Sequence, residues 1–148
     1  MSTRNWVRFQ FASIPENVGF ARTCAAAFVS QLDCTIEEIE EVKLVVSEAV
    51  SNSIIHGYDN NRDSFVFVEI KLLANNAIEI MIEDHGCGIE DVEQAQQPAY
   101  SSIPDRMGLG FVFMRSFSDE LEVTSNVGQG TRVKMVKSLI PVREESGG

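Results

Sequence analysis

Apolar and polar positions alternate along WVRFQF (6–11), and a period near two predicts a strand there. After Pro15 the spacing changes. ENVGFARTCAAAFVSQL (16–32) carries Ala and other small residues at helical intervals, which predicts a closely packed helix. Thr35 followed three residues later by Glu38 is a capping-box pattern. A second helix is therefore expected to begin near Ile36 and reach about Ile55 or His56, with Gly57 in the place of a C-terminal glycine. Two strand-like runs follow, FVFVEIKLL (65–73) and AIEIMIED (77–84), and Asn75-Asn76 between them suits a tight hairpin because Asn tolerates positive φ. DHGCG (84–88) closes the second run with a glycine-rich turn, and residues 89–107, polar and irregular with Pro98 and Pro104, read as a lid-like loop. GLGFVFMRSFSD (108–119) opens on two glycines and then turns helical. LEVTSN (121–126) and TRVKMVKSLI (131–140) form a last hairpin around GQG, and VREESGG reads as a frayed end. This order predicts an α/β two-layer sandwich, a mixed sheet with helices on one face.

Composition narrows the picture without redirecting it. A chain of 148 residues suits a single domain, taken as 1–148, and can bury a core without disulfides or metals. No apolar run approaches the roughly 18 residues of a membrane span, and MSTRNWVRFQF lacks a signal-type hydrophobic stretch, so a cytoplasmic location is expected. A net charge of −10 argues against general nucleic-acid binding, which needs a basic face, and turns attention to proteins and small molecules. Cys24, Cys34 and Cys87 are an odd number with no CxxC pair, which speaks against a disulfide framework and a zinc site.

Four short stretches could carry chemistry. Glu48 and Asn52, four apart on the second helix, project from one stripe. A carboxylate there can act as a metal ligand or general base, and an amide oxygen is a neutral, hard ligand suited to Mg²⁺. Alone, the pair is better explained as a solvated stripe, and His56 as a helix-end residue facing the dipole. Asp84 ends an apolar strand and is followed by Gly86 and Gly88. Such a carboxylate can accept from an exocyclic amino group while the glycines admit a flat ligand or a phosphate, but a plain Asp-Gly turn accounts for it equally. Gly108-Leu109-Gly110 opens a helix, where bared amides make an anion site, and Arg106 stands just before it. Last, Gly128-Gln129-Gly130-Thr131 is hairpin chemistry with one hydroxyl able to face a ligand.

The order of these stretches is more specific than any one of them. Glu-x-x-x-Asn on a helix, Asp-x-Gly-x-Gly after a strand, Gly-x-Gly opening a helix and Gly-x-Gly-Thr together resemble the four boxes of the GHKL ATPase superfamily, whose Bergerat fold has a mostly antiparallel sheet. FARTCAAAFVSQLDCTIEEIEEVKLVVSEAVSNSIIHGYDN further resembles the anti-sigma F factors, serine kinases of spore-forming Firmicutes. The resemblance implies ATP and Mg²⁺ as cofactors. It makes Glu48 the general base for the substrate serine, Asn52 the Mg²⁺ ligand, and Asp84 the reader of the adenine amino group beside Gly86 and Gly88. Arg106, Gly108, Leu109 and Gly110 are implied to contact the phosphates, Thr131 to lie near adenine, and Arg22 on the first helix to contact protein partners. Those partners are implied to be sporulation sigma factor F, which the family binds and inhibits, and an anti-anti-sigma factor phosphorylated on serine, with the kinase a homodimer. A switch kinase of general-stress sigma factors, or an ATP-dependent binding module without kinase activity, remains an alternative. A sensor histidine kinase module would need a separate helical domain bearing the acceptor histidine.

Overall fold

In the computed structural model, residues 2–59, 61–89 and 105–140 are described, residues 105–109 by their backbone alone. Five strands are formed, β1 (Thr3–Ala12), β2 (Phe65–Leu73), β3 (Ala77–Asp84), β4 (Glu120–Asn126) and β5 (Gly130–Ser138), in the spatial order β1-β2-β3-β5-β4. Every pairing is antiparallel, so the sheet is the pure case of the mostly antiparallel arrangement expected. The helices are α1 (Asn17–Val29), α2 (Ile36–Asn52), extended by a π-turn at Ser53–Gly57, and α3 (Asp105–Phe117).

Alternation decides which face of the sheet is covered. Val66, Val68, Ile70 and Leu72 of β2 and Ile78, Ile80 and Ile82 of β3 are at most 2% exposed and meet Val42, Val45, Val46 and Val50 of α2. The intervening residues form the other, open face, where charges pair across strands: Arg8 with Glu69, Lys71 with Glu79 at 3.6 Å, and Arg132 with Glu83 at 2.8 Å. Such pairs keep a half-covered sheet face soluble and each contributes little stability. The β2–β3 hairpin turns on Asn76, whose φ of 59° is the left-handed value anticipated for Asn.

The start of α2 is capped as its sequence predicts. The Glu38 amide donates to the Thr35 hydroxyl (3.1 Å) and the Thr35 amide donates to Glu38 Oε1 (2.9 Å). Glu38 also accepts from the Ile140 amide (3.0 Å), so one carboxylate clamps the helix start to the residues after β5.

The end of α2 differs from expectation. Gly57 was expected as a left-handed cap, yet its φ is not positive, and the left-handed residue is Asp59, with φ 51°. The chain leaves α2 through the wider π-turn, a feature common beside functional sites. Gly57 is required for a different reason: a Cβ there would lie 2.9–3.0 Å from the Asp84 carboxyl group.

Candidate functional site

The polar column on α2 is not a solvated stripe. Glu48 is 7% exposed and Asn52 9%, while Ser53 on the π-turn, Asp84 at the end of β3 and Thr131 at the start of β5 are buried with them. A helix that packs on a sheet has no reason to bury a carboxylate and a carboxamide unless they serve something, because uncompensated burial of such groups costs several kcal/mol.

The Gly86 amide donates to Asp84 Oδ1 at 2.9 Å, and the Ser53 side chain and Thr131 backbone beside the carboxylate also favour its charged form. Burial nevertheless pushes its pKa above the usual carboxylate value, with those hydrogen bonds opposing the rise. A carboxylate fixed in this way, with one oxygen still able to accept, can read an amino group. Thr131 pairs through its hydroxyl with Ser125 Oγ at 2.8 Å, and the same Oγ accepts from the Ile89 amide at 2.7 Å. Ser53 and Ser125 therefore belong to the site. The sequence offered only one hint of this, the position of Ser53 directly after Asn52.

The glycine-rich turn is used differently from the way its sequence suggests. A Cβ on Gly86 would fall 2.0 Å from the Gly57 carbonyl oxygen, so the space at Gly86 is taken by the chain's own backbone rather than by a ligand. The Cys87 amide donates to that same oxygen at 2.7 Å, tying the turn to the end of α2. Gly88, with φ 77°, does face the cavity.

Asn52, Ser53, His56, Asp84, Gly88 and Thr131 share one cavity, whose apolar walls include Ala49, Ile82, Phe111 and Val133. Two buried side-chain nitrogens around it, Asn52 Nδ2 and His56 Nε2, have no hydrogen-bond partner among the described residues. Burial lowers the pKa of His56, so the imidazole is neutral near pH 7. The cavity measures only about 20 Å³, room for about one water. Its roof is α3: a Cβ on Gly110 would lie 3.0 Å from Asn52 Nδ2 and 3.3 Å from Glu48 Oε2.

The helix α3 also begins earlier than its glycines suggest. It starts at Asp105, which places Gly108 and Gly110 in its first two turns, and the amides without an intrahelical acceptor are then those of 105–107. The side chains of Arg106 and Leu109 lie outside the described residues, as does most of the expected 89–107 loop. Arg22 is exposed on α1 and does not line the cavity. Among the described residues no group of three or more His, Cys, Asp or Glu is placed to hold a metal, and no helix is long and apolar enough to cross a membrane.

Comparison with known proteins accounts for this arrangement. Residues 11–137 match the family model of the histidine kinase-like ATPase domain. The chain is 50% identical over 137 residues to the anti-sigma F factor of Clostridium novyi, covering 91% of this chain and 95% of that one. It is 44% identical over 138 residues to the anti-sigma F factor of Priestia megaterium, covering 92% and 94% respectively. Among solved structures it superposes on the RsbU and RsbW domains of a Mycobacterium tuberculosis protein with a TM-score of 0.65 at 14% identity, spanning 91% of this chain and 32% of that one. A blue-light activated histidine kinase of Erythrobacter litoralis gives a TM-score of 0.58 at 19% identity, spanning 88% of this chain and 43% of that one. Those two likenesses concern the fold. The buried Glu48–Asn52 column, the held Asp84 and the near full-length identity lead to one conclusion: the chain belongs to the anti-sigma F factors, built on the histidine kinase-like ATPase domain.

Proposed function

We propose that this chain is an ATP-dependent serine-protein kinase that binds and inhibits sporulation sigma factor F and phosphorylates an anti-anti-sigma factor on serine. The observation that carries the reading is the burial of Asn52, Ser53, Asp84 and Thr131 around a single cavity, with Glu48 buried one helical turn before Asn52. In this scheme Asp84, kept in place by Gly86, Ser53 and Thr131, accepts from the adenine amino group. Ile82, Val133 and Phe111 supply apolar walls against the flat base.

A divalent cation fits the donor set. Mg²⁺ is usually held by one or two protein oxygens plus substrate phosphates rather than by a protein cage. Asn52 offers such a group, a buried carboxamide whose nitrogen has no partner among the described residues. When bound, Mg²⁺ would neutralise charge on the phosphates. Glu48, one helical turn before Asn52 and on the same face, is placed to take the proton of a serine hydroxyl. Phosphoryl transfer needs mainly positioning and charge stabilisation, so one base and aligned donors are sufficient.

The anti-sigma F relatives motivate the partner assignment, with Arg22 on α1 as the contact residue and a homodimer as the working unit. The test is incubation with γ-labelled ATP and an anti-anti-sigma protein, alongside capture of sigma factor F with ATP and with ADP. Label on a serine of the partner and capture favoured by ATP are expected. Label on His56 or His85 of this chain would overturn the reading.

A further inference from the structure

The hydroxyl of Tyr58 joins three parts of the fold at one atom. It donates to the carbonyl of Phe65, the first residue of β2, at 2.7 Å, and accepts from the amide of His85, the residue after Asp84, at 2.7 Å. Tyr58 itself follows the π-turn, whose Gly57 carbonyl accepts from Cys87. The turn 84–88 is thus tethered to the end of α2 on both sides of Gly86. On the Cys87 side the tether is a backbone bond backed by the Cys87 thiol on the His56 carbonyl at 3.2 Å, while on the His85 side it depends on a single side-chain oxygen. His85 also rests against Phe65, with ring centroids 5.6 Å apart.

We infer that Tyr58 is a positioning residue for base recognition, its hydroxyl setting the orientation of Asp84 through the His85 amide. The inference rests on Asp84 reading the adenine amino group. Tyr58 does not line the cavity, so it acts on the base only through the turn. Asp84 itself is the last residue of β3 and is held opposite Thr131 by the β3–β5 ladder. Its Oδ1 accepts from the Gly86 amide two residues along, so a turn that shifts moves this donor relative to the strand-held carboxylate. Loss of the Tyr58 hydroxyl leaves the His85 amide without this partner and lets the turn draw the Gly86 amide away from Oδ1.

The variant is Tyr58→Phe, which keeps the ring and removes one oxygen. Binding of ATP and of purine riboside triphosphate, which lacks the 6-amino group, is measured by calorimetry on parent and variant below the variant's Tm. The parent is expected to prefer ATP. In the variant the affinity for ATP should fall about tenfold, the size of one hydrogen bond to a charged group, while the amino-free analogue changes less than about threefold. The preference for the amino group therefore shrinks. A purely structural role would weaken both nucleotides equally, and an unchanged preference in Tyr58→Phe overturns the inference while leaving Asp84's assignment standing. A parent that binds both nucleotides alike removes the assignment of Asp84, and this inference with it.

Discussion

Replacing Gly86 with Ala probes the contact on which the site depends most. The added Cβ would sit 2.0 Å from the Gly57 oxygen and 2.4 Å from its carbonyl carbon, both backbone atoms that cannot rotate aside. Ordinary contact begins at 3.4 Å, so the turn must retreat by 3.4 less 2.0, or 1.4 Å. That retreat stretches the 2.7 Å bond from Cys87 to Gly57 and the 2.7 Å bond from His85 to Tyr58 beyond hydrogen-bonding range. At about 1 kcal/mol each, with a further strain of similar size on the charged Gly86–Asp84 bond, the loss is about 2–4 kcal/mol. For a domain of this size each kcal/mol moves Tm by about 2–4 °C, giving a fall of about 5–15 °C. Thermal unfolding by circular dichroism measures that fall, and calorimetry at a temperature where the variant is folded should show ATP affinity reduced at least tenfold. Gly86→Ala with the parent's Tm would refute the steric argument. A lowered Tm with unchanged ATP affinity would refute the claim that this contact shapes the nucleotide site.

Other substitutions probe separate parts of the account. Gly19→Ala on α1 meets nothing closer than an Arg22 nitrogen at 3.4 Å, so helix propensity alone should raise stability by about 0.5–1 kcal/mol in denaturant titration. Glu38→Ala removes both the capping box and the clamp to Ile140, and about 1–3 kcal/mol should be lost in the same assay. Because the pKa of Asp84 is raised by burial, its contribution to stability is full in acid and lost as pH rises through the folded value. Asp84→Asn should thus be at least as stable as the parent at pH 8, in urea unfolding, while failing to bind ATP. His56 has the opposite sign. Its lowered pKa means that stability is full above the unfolded value of 6.5 and lost as pH falls below it. His56→Gln should flatten the decline in urea midpoint between pH 7 and pH 5.

Local patterns in the sequence were legible where the causes are local. The runs 65–73 and 77–84 become β2 and β3 with the same bounds, because strict alternation around an Asn turn leaves no other register. Thr35 and Glu38 cap α2 because both partners of the box lie within one turn. What failed depended on contacts between distant segments. Gly57 was read as a cap from its place after a helix, but it is small because Asp84, 27 residues later, packs against it. Glu48 and Asn52, read alone, fitted a solvated stripe, and α3 folding over them at Gly110 is what buries them. β1 begins at Thr3 rather than at Trp6, since pairing with β2 recruits polar residues that alternation does not mark. Tyr58 carries no motif, and its two bonds to Phe65 and His85 exist only once β2 and the turn are assembled.

The central claim, that Glu48 performs base chemistry in an ATP site assembled by Asn52 and Asp84, is tested most directly by one measurement. Single-turnover transfer from γ-labelled ATP to an anti-anti-sigma protein is followed for the parent and for Glu48→Gln, with ATP saturation verified for both. The account predicts serine labelling by the parent and a rate at least a hundredfold lower for Glu48→Gln, with ATP affinity changed less than about threefold. Equal rates for the two proteins at saturating ATP would contradict it.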